Sequence, residues 1–354
     1  MTKSVKILGA GLSGLSCAIN LVKKDVAVEV IEKRDSIGKQ NNPNYQVLNG
    51  SVTPKEYLES LNLKPKYRQI VKEKCFFATN SRDFDFKLNS KVYFIQRGGP
   101  DSLEAGLYKQ AVDSGVKFKF NTIAKAKEVD VIATGPKSVD AIAYGEVYEG
   151  VDFDSEHFYV MYDDKYSPRG WYLYAVPYDN KLAVMNCCSQ PHVGKVKLLL
   201  KKAISEKNIL KDAIGGNKPV SYMGGYGNVE LPKSAVDDGR LILGEAAGFQ
   251  DPFRGLGMAF ALESGKLAAD AITGGLDYDR LWKDAFSQQF KLDYSRRFIV
   301  SLFGSRRVDL MYRKYSREDT INLRRGDVGG PVGNILKTTF MHAELLKKKL
   351  LGYW

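Results

Sequence analysis

The residues best suited to chemistry stand near the start of the chain. Gly9-Ala10-Gly11-Leu12-Ser13-Gly14 is a G-x-G-x-x-G run. In such a run the first glycine permits a tight turn, the second lets backbone approach a pyrophosphate, and the third lets a helix pack closely on a strand. Glu32 follows 18 residues after Gly14, at a strand end where a carboxylate can accept hydrogen bonds from ribose hydroxyls. An acid there disfavours a 2′-phosphate, so NADP is not expected in this site. The chemistry is the binding of a dinucleotide at a helix N-terminus.

The elements that must position these residues are legible. Ser4 to Leu8 reads as a buried strand that stops at glycine. From Leu12, apolar Leu15, Ile19 and Val22 recur at helix-face spacing, and Lys23 and Lys24 close the helix where its dipole favours cations. Val26 to Ile31 is a second strand ending at Glu32. Two later segments have the same apolar-strand character. Asp130 to Gly135 ends in Thr134-Gly135, and Leu241 to Gly248 carries Gly244-Glu245. After Pro252, Gly255 and Gly257 a helix is expected, with Ala259, Leu262, Gly265, Leu267 and Ala268 available for packing.

At these residues the sequence resembles the FAD-dependent geranylgeranyl reductase family, within the wider flavoproteins of the p-hydroxybenzoate hydroxylase fold. The resemblance covers roughly residues 1–50, 92–136 and 235–275. It implies FAD as cofactor. Gly9, Gly11, Ser13 and Gly14 would then serve the pyrophosphate, and Glu32 with Lys33 and Arg34, matching the family's E-K-R, the ADP half. Thr134 and Gly135 join the cofactor set, and Gly244 and Glu245 match a GD-type strand end that holds the ribityl chain. Gly257 and Met258 fall where backbone N–H groups meet the isoalloxazine. Arg97 aligns with an arginine that approaches the cofactor phosphates or the flavin edge, and Thr122 with a backbone contact to adenine.

The resemblance further implies an α/β fold: a discontinuous Rossmann-like FAD-binding domain, an inserted antiparallel-sheet substrate domain and a helical C-terminal region. The expected division is 1–50, 92–136 and 235–276 for FAD, 51–91 and 137–234 for substrate, and 277–354 for the helical region. Strand-like FYVMY, GWYLYAV and KLAVMNC suit the substrate sheet, and Val196 to Lys211 reads as one lysine-rich helix.

Two motifs depart from the family. The family's cysteine in the loop after the second strand is missing from residues 38–45. Its substrate strand, Y-x-W-x-F-P, is here Tyr172-x-Tyr174-x-Val176-Pro177, without the following glycine pair. Flavin halogenases carry a similar W-x-W-x-I-P, which Tyr172 and Tyr174 also fail to match. These two tyrosines are the candidate substrate-binding residues; the competing reading is an amphipathic strand with tyrosine on a packed face. No proton donor is identified.

Composition narrows the rest. In 354 residues, 44% are apolar and 27% charged, and no run approaches the roughly 20 apolar residues that span a bilayer. The first residues lack the apolar core of a secretory signal. Four scattered cysteines suit a reducing cytoplasm, with Cys17 packed inside the first helix and Cys187 and Cys188 on opposite faces of a strand. Three histidines without metal-ligand spacing argue against zinc. The supply of 20 Tyr and 17 Phe suits an apolar ligand cavity. Of the net charge of +12, residues 277–354 contribute 16 basic against 9 acidic side chains. That stretch is expected to end in a helix capped by Asn334, with an apolar face of Ile335, Leu336, Phe340, Ala343, Leu346 and Leu350. If that helix meets an anionic membrane, Lys347 to Lys349 would meet the headgroups; otherwise it packs on its own protein. Nucleic acid is not an expected partner.

The leading reading is an enzyme that reduces carbon–carbon double bonds of an isoprenoid or lipid through flavin chemistry. The alternatives are a flavin monooxygenase of hydroxylase or halogenase type, a lycopene-cyclase-like flavoprotein with no net redox change, and a flavin-binding protein without turnover. With no second G-x-G-x-x-G run, the electron donor is either a transiently docked nicotinamide nucleotide or a ferredoxin.

Overall fold

In a computed structural model, which describes residues 4–38, 43–48, 52–315, 320–321 and 331–351, the first unit forms as read. β1 (Ser4–Leu8) and β2 (Ala27–Ile31) are parallel, with Val5, Ile7, Val28 and Val30 buried, and α1 (Leu12–Val22) connects them. The chain then crosses to a second sheet through β3 (Asn44–Val47). It continues through α2 (Pro54–Ser60), whose Thr53 and Glu56 form a capping box, to the long strands β4 (Gln69–Thr79) and β5 (Asp83–Arg97). It returns through α3 (Leu103–Asp113), β6 (Lys117–Lys119) and β7 (Val131–Ile132). A second excursion follows: β8 (Ala141–Glu149), β9 (His157–Tyr162), β10 (Leu173–Tyr178), β11 (Lys181–Ser189), α4 (Val196–Glu206), α5 (Asn208–Ile214) and β12 (Ser221–Gly227). The hairpin of β13 (Val236–Asp237) and β14 (Arg240–Ile242) leads into α6 (Met258–Gly274). The C-terminal region contains α7 (Tyr278–Phe303), α8 (Ser305–Tyr315), β15 (Thr320–Ile321) and α9 (Pro331–Leu351).

Among the described residues, the first sheet has the order β13-β14-β7-β1-β2-β6, parallel except for the β13–β14 hairpin. The second runs β12-β8-β11-β10-β9-β4-β5-β15, with β3 also on β5; it is antiparallel except at β4–β9 and β5–β15. The expected α/β class, with a Rossmann-like sheet, a second sheet and C-terminal helices, is borne out.

The core of the first unit is closed by two helix crossings. α6 lies across α1 at Gly265, where a Cβ would meet the Ser13 carbonyl oxygen at 2.4 Å. Ser16 Oγ donates to the Leu262 carbonyl at 2.7 Å across the same crossing. α7 places Trp282, Phe286, Phe290 and Tyr294 at i, i+4 spacing, all buried, against Phe249 and Phe260. Cys17 packs fully buried in α1, and burial raises its thiol pKa and those of Cys75, Cys187 and Cys188, so all four are held as thiols.

Several local expectations need correction. The helix expected over Val196 to Lys211 is two, because Lys207 turns extended (φ −92°, ψ 111°) and its ammonium pairs with Asp163 at 3.2 Å. Asn334 is not a cap: α9 starts at Pro331, whose fixed φ suits a first turn, and Asn334 lies inside the helix with its carbonyl accepting from Thr338. Lys347 and Lys348 do not face outward as headgroup contacts. Lys347 pairs with buried Glu344 at 2.6 Å and donates to Ser301, while Lys348 reaches Asp140 at 2.8 Å and the Val229 carbonyl. The inward carboxylates draw both lysines against the protein, and only Lys349 of the three is exposed. Most of the loop said to lack a cysteine (39–42), and most of the glycine-rich break before α9 (322–330), lie outside the described residues.

Candidate functional site

The carboxyl ends of β1, β2, β7 and β14 lie side by side, with β1 flanked by β2 on one side and β7 on the other. That is the switch point at which open α/β sheets bind ligands. The glycine run leaves β1 there. Gly9 has φ +106°, and a Cβ on it would sit 2.3 Å from the Ala133 carbonyl oxygen. A Cβ on Gly14 would sit 2.1 Å from the Gly9 carbonyl oxygen. A Cβ on Gly11, by contrast, would meet nothing within 4 Å. Two glycines are therefore required by the protein itself, and the third borders open space. Gly11 is the N-cap of α1 and supplies no side-chain cap to the first-turn N–H groups of α1.

Glu32 closes the loop from the β2 side. Its Oε2 accepts from Ala10 N at 2.9 Å and its Oε1 from Arg34 N at 3.1 Å. Each carboxylate oxygen retains a further acceptor site, which is what a ribose hydroxyl needs. Lys33 and Arg34 are exposed beside it. Thr122 N donates to the Glu32 carbonyl at 3.1 Å and its hydroxyl to Phe120 O at 2.8 Å. Of the Thr122 backbone, the carbonyl is the group left for an adenine. Thr134 is exposed at the end of β7, and a Cβ on Gly135 (φ +80°) would also enter open space.

The turn after β14 meets the same place. A Cβ on Gly244 would be 3.0 Å from Ser13 Oγ, and Gly244 N donates to Ser264 Oγ at 3.0 Å. Glu245 follows, its Oε1 3.2 Å from where a Gly257 Cβ would stand. Gly257 is the N-cap of α6, and Met258 is its buried first residue. Burial pushes the Glu245 carboxyl up to about 7, against the opposing pull of the Arg97 guanidinium. Arg97, at the end of β5, is fixed by Glu104 Oε2 at 2.9 Å and Gln46 Oε1 at 3.3 Å, and Glu104 also accepts from Gly98 N at 3.0 Å. It is a part-buried positioned cation rather than a surface one.

The two tyrosines lie on the sheet face that carries Tyr45, Phe94, Phe158, Tyr162 and Phe253. The Tyr172 hydroxyl donates to the Arg254 carbonyl at 2.7 Å, tying β10 to the loop that opens α6. The Tyr174 hydroxyl instead donates to Met185 Sδ at 3.0 Å. Burial raises both phenol pKa values, so both keep their protons.

Sequence reasoning missed the groups that brace this loop. Asp251 accepts from Phe253 N at 2.7 Å and Arg254 N at 3.1 Å. Arg297, fully buried on α7, lies over the Trp171 ring at 5.0 Å, and that ring is 3.6 Å from a Gly255 Cβ position. Asp293 is pushed up to about 7 by burial and by Asp251. The only signal for these was the unusual run Asp251-Pro-Phe-Arg254.

A family model described as an NAD(P)-binding Rossmann-like domain matches residues 7–48, the strand–turn–helix–strand unit. A digeranylgeranylglycerophospholipid reductase 2 of Methanopyrus kandleri is 22% identical over 52% of this chain and 50% of its own length. A digeranylgeranylglycerophospholipid reductase of Methanothrix thermoacetophila is 24% identical over 84% of this chain and 88% of its own. The chain spans about half the length of the first curated relatives it matches. A geranylgeranyl bacteriochlorophyll reductase-like protein of Thermoplasma acidophilum superposes over 98% of both chains with TM-score 0.73 and 16% identity. The chain has the fold of this reductase-like group. A flavin-dependent brominase shares the fold more distantly, with TM-score 0.64 over 98% of this chain and 100% of that one, at 16% identity. The resemblance read from the motifs is thus borne out. Among the described residues, no helix is long and apolar enough to cross a membrane, and no cluster of metal-ligating side chains occurs.

Proposed function

We propose that the chain is an FAD-dependent oxidoreductase that reduces carbon–carbon double bonds of an isoprenoid or related lipid. The observation that carries the reading is the convergence on one open crevice of Gly11, Glu32, the Gly244-Glu245 turn and the N-terminus of α6 at Gly257. The reductases named among its relatives support the substrate class. Residues 1–50, 92–136 and 235–276 would form the FAD-binding domain, 51–91 and 137–234 the substrate domain, and 277–354 the helical region.

Gly9, Gly11, Ser13 and Gly14 would hold the pyrophosphate, and Glu32, Lys33, Arg34 and the Thr122 carbonyl the adenosine. Thr134, Gly135, Gly244, Glu245 and Arg97 would take the middle of the cofactor, and Gly257 and Met258 the ring. When bound, the flavin supplies hydride to the substrate double bond. The protein contributes binding, orientation and exclusion of water. The aromatic face around Tyr172 supplies the apolar wall, and Glu245, poised near neutrality, holds or gives up a proton at its carboxyl oxygen at the pH of the cell.

Halogenase chemistry is the second reading, favoured by the brominase fold. Against it, Tyr172 and Tyr174 stand where the halogenase strand has two tryptophans. One experiment separates the readings: the purified protein, reduced anaerobically, is offered a polyprenyl lipid and the product weighed. Reduction adds two hydrogens per double bond, cyclisation leaves the mass unchanged, and a monooxygenase turns over only when oxygen is supplied. Unchanged lipid under reducing conditions would overturn the reductase assignment. The electron donor, a nicotinamide nucleotide or a ferredoxin, is identified by which one bleaches the flavin absorbance.

Membrane delivery belongs to the same proposal in an amended form. α9 exposes Ile335, Leu336, Leu346 and Leu350 beside Lys349. Peripheral contact would use this apolar face and Lys349, while Lys347 and Lys348 stay paired. Cosedimentation with anionic liposomes is expected to be lost on Leu346→Asp/Leu350→Asp; binding undiminished in that variant would remove α9 as the contact.

A further inference from the structure

The second sheet has another face. Over β8 to β11 it is covered by α4 and α5, whose Leu200, Ala203, Leu210 and Ile214 pack on Tyr159, Leu173 and Leu182. The cover ends at α5. Between Ile209 and the β4–β5 hairpin lies a cavity of about 260 Å³. Its apolar wall is Phe76, Phe77, Phe84 and Ile209, and Asp83 and Tyr159 also line it. Phe77 and Phe84 also belong to the aromatic cluster around Tyr172, but none of the cavity's residues lies in the dinucleotide crevice.

The polar groups here are arranged unlike a solvated surface. Tyr159 is 1% exposed, and its hydroxyl has no hydrogen-bond partner among the described residues. A buried hydroxyl without a partner is uncommon and costs stability, so it points to an occupant that completes it. Asp83 is within electrostatic reach of that hydroxyl and holds no ion pair among the described residues. Asp85, the second carboxylate of the wall, is already engaged. Its Oδ1 faces His157 Nε2 at 2.9 Å, and His157 Nδ1 faces Asp154 at 2.8 Å. The imidazole, 4% exposed, is stacked on Phe76 at 3.9 Å and 7°. Phe76 is thus fixed from behind, its ring a rigid part of the wall.

We propose that this cavity binds a small organic ammonium ion, with its apolar body among Phe76, Phe84 and Ile209 and its N–H groups on the Asp83 carboxylate and the Tyr159 hydroxyl. Three alternatives fit less well. An anion would meet two carboxylates. A pure hydrocarbon would leave the Tyr159 hydroxyl unpaired. A large ligand exceeds the volume, which lies just below the usual range for drug-sized molecules. Aromatic rings beside a carboxylate are the recurrent surroundings of bound ammonium groups, because the ring faces and the acid attract the same charge.

The test uses the full chain as purified, with benzylamine as probe and benzyl alcohol and benzoate as its neutral and anionic counterparts. Calorimetry or ligand-observed NMR should show benzylamine binding at least about tenfold tighter than the alcohol, weakening with salt, and benzoate not at all. Asp83→Asn, at an exposed position, should lose roughly tenfold in benzylamine affinity, and Tyr159→Phe about threefold. Flavin content serves as the control in both variants and should not change, since none of the residues that line the cavity lines the crevice. Equal affinity for amine and alcohol, undiminished binding in Asp83→Asn, or no benzylamine binding to the wild-type chain would each overturn the proposal without touching the flavin reading.

Discussion

Gly11 and Gly14 stand three residues apart in one motif, yet the structure makes opposite demands of them. Gly11 has φ −76° and ψ −176°, a conformation any residue adopts, and its Cβ would point into open space. Valine there should therefore leave the cofactor-free protein within about 1 kcal/mol of wild type, the reduced freedom of the unfolded chain even helping slightly. Its two methyl groups would occupy the space in front of the first turn of α1, so FAD retention should be abolished. Gly14 differs. An alanine Cβ would lie 2.1 Å from the Gly9 carbonyl oxygen, a backbone atom that cannot swing aside, and 3.3 Å from Ala133 Cβ. Overpacking of this kind costs about 1–3 kcal/mol or more, and Gly14→Ala should show it with or without cofactor. The assay is urea unfolding of the stripped proteins, with flavin measured by absorbance after denaturation. Stoichiometric FAD in folded Gly11→Val, or a stripped Gly11→Val as destabilised as Gly14→Ala, would refute the assignment of the open space to the pyrophosphate.

Three further outcomes are expected. Glu245 keeps its proton up to about 7 in the folded protein but loses it near 4.5 in the unfolded chain. Its contribution to stability is therefore full below 4.5 and declines as pH rises to about 7, by up to about 3 kcal/mol. Glu245→Gln should remove that part of the pH slope in cofactor-free protein, leaving the parallel slope from Asp293, which is raised to about 7 for a similar reason; a slope identical to wild type would show that Glu245 is solvated. Arg97→Ala should raise the Glu245 titration further and weaken FAD binding, read by following the pH dependence of flavin binding; an unmoved profile would separate the two residues. Lys348→Ala should destabilise the docking of α9 by about 1–2 kcal/mol, since it strips a cation from part-buried Asp140 and the Val229 carbonyl, whereas Lys349→Ala should be neutral; equal Tm values for the two variants would contradict the inward pairing.

The parts of this molecule that were legible in its sequence are those governed by near neighbours. Strand, glycine turn, helix and strand from Ser4 to Glu32 follow from a period of two, a period of 3.6 and two positions, Gly9 and Gly14, where only glycine fits. The turn at Gly244 and the start of α6 at Gly257 are local in the same way. What could not be read was decided by partners far along the chain. Lys347 and Lys348 look in sequence like the solvated stripe of an amphipathic helix; Glu344, buried on the same helix, and Asp140, 208 residues away, turn them inward. The break at Lys207 likewise depends on Asp163, in another element.

The same distinction explains why the cofactor class is easier to infer than the reaction. A dinucleotide has a fixed phosphate, and the means of holding one reduce to bare backbone at a helix start, written in the chain as glycine. A hydrocarbon substrate offers no such fixed charge. Its recognition lies in the shape of an aromatic face, and here the proposed face is assembled from Tyr45, Phe94, Phe158, Tyr162, Tyr172 and Phe253, drawn from β3, β5, β9, the residue before β10 and the loop before α6. Tyrosine at 174 is legible as a departure from both the reductase and the halogenase strand, and tyrosine at 172 as a departure from the halogenase strand alone. The consequence is not, because it depends on where the hydroxyls go. Tyr172 spends its own on the Arg254 carbonyl and Tyr174 on Met185. Both hydroxyls are thus engaged within the protein, and under the proposed function an apolar aromatic wall suits the reduction of an apolar chain better than the placement of a polar oxidant.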